Sequence, residues 1–216
     1  MTTELGGQRC ARTVRELITA GRLGPGEQLV EQSLAEVCGV SRNTLREGFR
    51  ILAHEGLVVH APHRGVFVSA PGVAEVRDVY TARRVVECGA LRERAGQGPV
   101  DADDPAVVAL QELVERAQEA GRVGRWGEVG DLNMAVHQQW VDLAGSRWLS
   151  TAAMGLLAHA RLAFRTLADP DGLHSAFVAE NARVVGHVVA GELTVAADVL
   201  EGYLHRAEGL VVAAMG

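Results

Sequence analysis

Apolar residues in the first part of the chain recur at helical spacing, in segments that glycine and proline residues separate. Val14, Leu17 and Ile18 share one side of a predicted helix over residues 9–20, which follows an expected frayed tail at residues 1–8. This apolar side is expected to pack as the first helix of a small folded domain.

Two further helices are predicted on either side of a tight turn. Residues 32–38 carry an apolar face, and Gly39 supplies the turn that follows it. Ser41 can cap the next helix by accepting a hydrogen bond from its backbone, while Leu45 and Phe49 face a core. Helix, turn and capped helix in this order are typical of a helix-turn-helix.

Two short β-rich runs come next, over residues 57–60 and 65–68. They flank a segment whose residues favour a turn, so the pattern predicts a β-hairpin with His63 and Arg64 at its tip. A hairpin directly after a helix-turn-helix is the wing of a winged-helix domain. Three helices and a hairpin therefore form the predicted first unit of the chain.

The remainder of the chain shows helical periodicity and no alternating strand pattern. Pro71-Gly72 separates it from the wing, so we predict one domain over residues 1–70 and a second over residues 71–216. The predicted helices of the second domain cover residues 73–95, 106–120, 127–144, 148–168, 174–190 and 194–213. The expected fold class is mainly α, with an all-helical bundle after the winged domain.

Four polar residues share the free face of the helix that follows the turn, and they are Arg42, Asn43, Arg46 and Arg50. A guanidinium fork can reach phosphates or guanine edges, and an amide can reach adenine. The hairpin tip could touch a minor groove or the DNA backbone. The alternative for any single arginine is a solvated surface charge, but several at this spacing on a capped helix favour a DNA-recognition helix.

Composition and charge fit this interpretation once the two domains are considered separately. The 216 residues are 48% hydrophobic and carry a net charge of −6, from 21 basic and 27 acidic residues. Residues 1–70 hold eight arginines and seven acids, net +1, while residues 71–216 hold thirteen arginines and twenty acids, net −7. The acidic excess therefore lies outside the domain predicted to bind DNA.

No apolar run approaches the roughly 18 residues that would cross a membrane, and no apolar signal core is evident. The expectation is a cytoplasmic protein without a membrane partner. Cys10, Cys38 and Cys88 are scattered and include no CxxC pair, so neither a disulfide framework nor a structural zinc site is predicted.

The first domain resembles the winged helix of GntR-family regulators. The resemblance is carried by residues 18–29, Leu34-Ala35, Gly39-Val40-Ser41-Arg42, Leu45-Arg46-Glu47, Leu52 and Glu55-Gly56-Leu57-Val58. It implies DNA contacts from the recognition helix and the wing, at Arg42, Asn43, Thr44, Arg46, Arg64 and Gly65.

The second domain resembles the FCD ligand-binding bundle of the FadR subfamily. The residues that carry the resemblance are Arg83, Glu87, Asn133 to His137, Ala144-Gly145-Ser146, Glu180-Asn181, Gly191-Glu192, Ala196, Leu200 and Tyr203-Leu204. It implies a domain that binds an effector and takes part in dimerisation.

Many FCD domains hold a divalent metal, and the family's ligand positions here read Asn133, His137, Asn181 and Tyr203. Amides and a phenol are poor ligands for Zn²⁺, so one imidazole remains where about three good donors are needed. We therefore predict no metal cofactor. A shifted site that uses His187, His205 or Asp131 stays open, although none of them shares a helix face with the family's positions.

An organic effector is the favoured occupant of the bundle, hydrogen-bonded by Asn133, His137, Asn181 and Tyr203. Arg83 is a candidate partner for an effector carboxylate. Two alternatives remain open at this point. Arg83 can form an internal ion pair with Glu87 one helical turn on, and His137 can be a satisfied core histidine.

These features together predict a homodimeric repressor that binds a pseudo-palindromic operator and is released by a small effector. One alternative is a DNA-binding dimer whose bundle pocket is silent or metal-dependent. An enzyme is disfavoured: Asp131 with His137, or Glu180 with His187, could form acid–base pairs, but no nucleophile motif or phosphate loop accompanies them.

Overall fold

The computed structural model describes residues 5–167 and 170–216, and it opens with a winged helix-turn-helix. We call this part, from α1 to β2, the winged domain. Its elements are α1 (Gly6–Thr19), α2 (Glu31–Cys38), α3 (Arg42–His54), β1 (Val58–Ala61) and β2 (Gly65–Val68).

The turn and the cap at the start of α3 follow the sequence prediction. Gly39 ends α2 in the left-handed region, with φ of 61°, which glycine adopts without steric cost. The Ser41 hydroxyl accepts a hydrogen bond from the Thr44 backbone N–H at 3.2 Å. Leu45 and Phe49 are fully buried, so α3 presents its opposite face to solvent.

The wing is an antiparallel hairpin in which Val58 pairs with Val68 and Ala61 with Gly65. His63 at its tip takes a positive φ of 60°, uncommon for a residue other than glycine. Backbone hydrogen bonds, including Leu29 N–H to the Val66 carbonyl at 2.8 Å, tie the segment before α2 to the hairpin. The wing is thus held at a fixed position beside α3.

The start of α1 differs from the prediction of a frayed tail over residues 1–8. Residues 1–4 lie outside the described residues, but α1 begins at Gly6. A Cβ atom at Gly7 would lie 3.2 Å from the Glu47 Cβ, so this glycine allows the helix to approach α3 closely. Packing against α3 therefore extends the helix into a segment that lacks an apolar pattern.

The rest of the chain is a helical bundle, from α4 to α10, and the mainly α fold class is confirmed. Its elements are α4 (Val73–Arg83), a π-helical turn (Arg84–Cys88), α5 (Gly89–Gly96), α6 (Pro105–Arg122), α7 (Trp126–Asp142), α8 (Arg147–Arg165), α9 (Pro170–Val189) and α10 (Leu193–Met215). The predicted helix over residues 73–95 is thus interrupted by the π turn. The predicted end of the fourth helix, at residue 168, lies outside the described residues.

The winged domain and the bundle share a helix. Ala158 and Leu162 of α8 are fully buried in the same apolar cluster as Val14 of α1 and Leu52 of α3. Polar contacts add to this junction: Arg15 holds the Glu55 carboxylate at 2.7 Å, and His159 Nε2 donates to the Glu55 carbonyl at 2.8 Å. No helix in the described part of the chain is long and apolar enough to cross a membrane.

Candidate DNA interface and effector site

The predicted DNA-binding residues of α3 lie on its first three turns. Arg42, Asn43, Arg46 and Arg50 are exposed, whereas Thr44 is half-buried, with its hydroxyl 2.9 Å from the Ser41 hydroxyl. The cap orders the first turn of the helix, which carries Arg42 and Asn43, and the two later arginines follow on the next two turns. This is the arrangement that a helix needs to enter a major groove.

Arg46 is held by an acidic residue of the preceding helix. Its Nε lies 2.9 Å from Glu31 Oε1 and its Nη2 lies 3.0 Å from Oε2, a bidentate pair. Hydrogen bonding to Arg46 lowers the pKa of Glu31, so the carboxylate is charged at neutral pH. The pair orients the Arg46 guanidinium at the surface, and sequence analysis did not identify Glu31 because the two residues lie on different helices.

The wing places its predicted contacts across a groove from α3. The groove has a volume of about 420 Å³, and Arg46, Arg50, His63 and Gly65 are among its lining residues. The Arg64 carbonyl accepts from the Gln28 side chain at 2.8 Å, and its guanidinium lies 5.6 Å from the Phe67 ring centroid. Four of the eight predicted DNA-binding residues line this groove, Arg46 and Arg50 from α3 and His63 and Gly65 from the wing. The other four lie on the same two elements.

The bundle contains a closed network of buried charges around Glu87. One carboxylate oxygen, Oε1, accepts from Arg83 Nε at 2.6 Å. The other, Oε2, lies 2.6 Å from His137 Nδ1 and accepts from Trp140 Nε1 at 3.0 Å. The internal ion pair that the sequence left open for Arg83 is therefore present.

The network also settles the tautomer of His137. Arg83 Nη2 lies 2.9 Å from Nδ1 as well, but one ring nitrogen cannot donate to Glu87 and accept from Arg83 at once. The contact to the Glu87 carboxylate is the shorter one, so Nδ1 carries the proton and donates it in a hydrogen bond to Glu87. Nε2 is then an acceptor, 3.4 Å from the Tyr203 hydroxyl. Burial lowers the pKa of His137, so the ring is neutral.

The charge of Glu87 survives burial because of its partners. Burial alone raises the pKa of a carboxyl group, but the Arg83 guanidinium and His137 lower that of Glu87 to about 2. The site thus holds a fixed ion pair with a neutral imidazole beside it. Its chemistry is hydrogen bonding rather than proton transfer at neutral pH.

Two of the predicted effector residues are asparagines whose side-chain amides contact each other in the core of the bundle. Asn181 Nδ2 donates to Asn133 Oδ1, and both side chains are buried. Among the described residues, Asn181 Oδ1 is buried and has no hydrogen-bond partner. Asn133 and His137 lie one turn apart on α7, so the structure brings the amide pair and the histidine network together.

The residues at the family's metal positions do not fit a divalent transition metal. They supply one imidazole, and its Nδ1 is engaged by Glu87. The possible substitutes are used elsewhere: Asp131 pairs with Arg161 at 2.7 Å and His187 with Glu192 at 2.7 Å. Within residues 5–167 and 170–216, no group of three or more His, Cys, Asp or Glu residues could hold a metal ion.

A second cavity lies between the winged domain and the bundle. Its volume is about 260 Å³, and its walls are mostly apolar. Thr19 of α1, Met134 of α7 and Leu157 of α8 are among the lining residues. Sequence analysis did not predict this cavity, because it forms where α1 packs against α7 and α8, which are more than 100 residues away in the chain.

Comparison with known proteins identifies the family of the chain. Residues 7–68 match the model of bacterial regulatory proteins of the gntR family, and residues 78–206 match the FCD domain. The chain belongs to the GntR family. It is a DNA-binding transcriptional regulator of that family with an FCD effector-binding domain.

Individual relatives agree with this assignment. An HTH-type transcriptional regulator in an unstable DNA locus of Streptomyces ambofaciens is 32% identical over 192 residues, which cover 88% of this chain and 78% of that protein. The Escherichia coli transcriptional repressor RspR is 34% identical over 88 residues, 41% of this chain and 39% of RspR. A crystal structure assigned as a GntR transcriptional regulator from Rhodococcus sp. RHA1 has a TM-score of 0.79, with 30% identity, over 96% of this chain and 98% of that one.

Proposed function

We propose that this GntR regulator is a homodimeric repressor whose two α3 helices enter successive major grooves of a pseudo-palindromic operator. The arrangement of α3 carries the proposal: a capped helix presents Arg42, Asn43 and Arg46, and the wing lies across a groove from it. The role of RspR as a repressor supports repression over activation. We place the protein in the cytoplasm because the operator DNA that it binds is there.

Release from the operator is proposed to follow binding of a small organic effector in the bundle. The unpaired acceptor Asn181 Oδ1, beside Asn133 and the histidine network, supports this site. Tyr203 and His137 supply further hydrogen-bonding groups. An effector carboxylate would reach Arg83 only in competition with Glu87, so the amide end of the site is the primary contact.

Effector binding can release the operator only if the effector prefers the DNA-free arrangement of the two domains. The shared helix α8 provides a mechanical connection, since Leu162 lies in the core of the winged domain while Phe164 lies in the core of the bundle. Placement within the FadR subfamily rests on the FCD resemblance and is part of the proposal.

The DNA-binding assignment is tested by fluorescence anisotropy on the upstream region of the protein's own gene. Arg46→Ala is expected to weaken specific binding roughly tenfold to a hundredfold, the effect of losing one bidentate base contact. Arg122→Ala on α6 removes an exposed arginine far from the interface and is the matched control. Equal binding by wild type and Arg46→Ala would contradict the choice of recognition helix.

The effector site is tested by titrating organic acids, acyl thioesters and natural products while following Trp fluorescence and release from DNA. Trp140 donates to Glu87 within the network, so it reports on changes there. Asn181→Leu should abolish the response to an active compound and leave DNA affinity unchanged. Release that is equally efficient in Asn181→Leu would place the effector elsewhere, and no release by any compound would favour a silent pocket.

We also expect the purified protein to carry no stoichiometric Zn, Ni or Mn, because its donor set is poor in imidazole. No enzymatic turnover is expected either, because no nucleophile motif or phosphate loop accompanies the candidate acid–base residues. Elemental analysis measures the metal content. About one metal ion per chain, lost in His137→Ala, would overturn this expectation and favour the metal-dependent alternative.

A further inference from the structure

Two thiols meet at the centre of the winged domain. Cys10 of α1 and Cys38 at the end of α2 are 28 residues apart in sequence, yet their Sγ atoms lie 3.3 Å apart. Both are free and buried. The recognition helix lies against the same point, because a Cβ atom at Gly48 of α3 would be 3.1 Å from Cys10 Sγ.

We propose that Cys10 and Cys38 form a modification site, at which a hydroperoxide generates a reversible disulfide that weakens operator binding. The Cys38 thiol is first oxidised to a sulfenic acid, while the peroxide O–O bond breaks and yields water or an alcohol. The Cys10 sulfur then attacks the sulfenic sulfur. The S–S bond forms, the S–O bond breaks, and the hydroxyl leaves as water with the Cys10 proton.

The order of the two steps follows from exposure. Cys38 ends α2 between the exposed Val37 and Gly39 and is itself 9% exposed, whereas Cys10 has no exposed surface. Burial, with the neighbouring Cys38 thiol, raises the pKa of Cys10 to about 12, so Cys10 is a poor first nucleophile. The peroxide therefore meets Cys38 first, and Cys10 acts as the resolving thiol at contact distance.

The disulfide would change the DNA interface because α2 carries both Cys38 and Glu31. The sulfur atoms must move about 1 Å closer to bond. This draws α2 towards α1 and changes its position relative to α3, on which Cys10 packs at Gly48. Glu31, which holds Arg46, moves with α2. The Arg46 guanidinium is thereby displaced from its place at the surface.

The experiment treats the purified full chain with hydrogen peroxide and then with dithiothreitol. Peptide mapping under non-reducing conditions should show a Cys10–Cys38 linkage that the reductant removes. Anisotropy on the operator should show binding weakened about tenfold, the loss expected for one misplaced base contact, and restored on reduction. Cys38→Ser and Cys10→Ala should each abolish both effects, while Cys88→Ala, in the bundle, should leave both intact.

Three outcomes would overturn the proposal. The first is the absence of the linkage while circular dichroism shows the helices intact. The second is a linkage that forms without any change in operator affinity. The third is an equal loss of affinity in wild type and Cys38→Ser, which would assign the oxidation to another residue. None of these readouts depends on the effector, so failure here leaves the proposed effector site unaffected.

Discussion

Glu87 is the single residue on which the buried charges of the bundle depend. It accepts hydrogen bonds from Arg83 and Trp140 and contacts His137, with less than 2% of its surface exposed. Glu87→Gln would leave the Arg83 charge buried without a counter-ion, so we expect a loss of about 3–5 kcal/mol in the free energy of unfolding. Urea denaturation of wild type and Glu87→Gln measures this loss. Glu93→Gln, at an exposed site on α5, should change little, and similar values for both variants would contradict this account.

His174 predicts how stability depends on pH. It stacks on Phe164 at 5.3 Å, and burial, with a smaller effect of Arg161, lowers its pKa to about 4. In the unfolded chain the imidazole pKa is about 6.5. Below that pH the imidazole is protonated in the unfolded state but stays neutral in the folded state. The free energy of unfolding therefore falls as pH drops from about 6.5 to about 4.

The size of this effect is at most about 3 kcal/mol, from a shift of roughly 2.5 pKa units. His174→Phe keeps the stacked ring and removes the titration, so its unfolding free energy should depend less on pH in that window. His205→Phe, at an exposed position, is the control. An identical slope in wild type and His174→Phe between pH 6.5 and 4 would show that His174 is not the group responsible.

At the scale of one helix, a glycine in the middle of α7 makes room for a buried arginine. A Cβ atom at Gly130 would lie 1.9 Å from Arg161 Nη1, and the Arg161 guanidinium is fixed by Asp131 at 2.7 Å. Gly130→Ala should therefore displace Arg161 and cost about 1–3 kcal/mol. Gly155→Ala in α8 has nothing within 4 Å of the new atom and should stabilise by up to about 1 kcal/mol. Thermal unfolding measures the change in stability of each variant. A change of the same sign in both variants would contradict the steric argument.

The sequence predicted the helices and the wing because their apolar spacing and turn residues act locally. Ser41 and Gly39 are examples, since a cap and a left-handed turn depend on a few adjacent residues. Contacts between elements were not predictable in this way. The pairing of Arg46 with Glu31, and of Cys10 with Cys38, depends on how helices pack, and no periodicity encodes it.

The effector site shows the same limit. The spacing of Asn133 and His137 alone places them on one face of a helix. The contacts of His137 and Trp140 with Glu87 form only when α7 packs against the π turn, and spacing does not predict that packing. The ion pair between Arg83 and Glu87 was one of two possibilities in the sequence, because a spacing of four residues permits it but does not exclude a ligand.

At the scale of the whole molecule, the core of the winged domain is completed by the bundle. Leu162 of α8 is fully buried among residues of α1 and α3, so Leu162→Ala should lower the hydrogen-exchange protection of those helices, with a total cost of about 2–5 kcal/mol. Leu110→Ala is matched in size and burial but lies in the bundle core. Equal loss of protection in α1 and α3 for both variants would mean that the two cores unfold as one.

The π turn at Arg84–Cys88 has a consequence that concerns chain length. A π turn is one residue longer than the α-helical turn it replaces, so it records an insertion that the helix absorbed without breaking. Glu87 and Cys88 of this turn are both fully buried. Removing one residue from this turn would rotate everything before it by about 100° relative to α5. The number of residues in this helix, as well as their identity, therefore determines which side chains line the effector site.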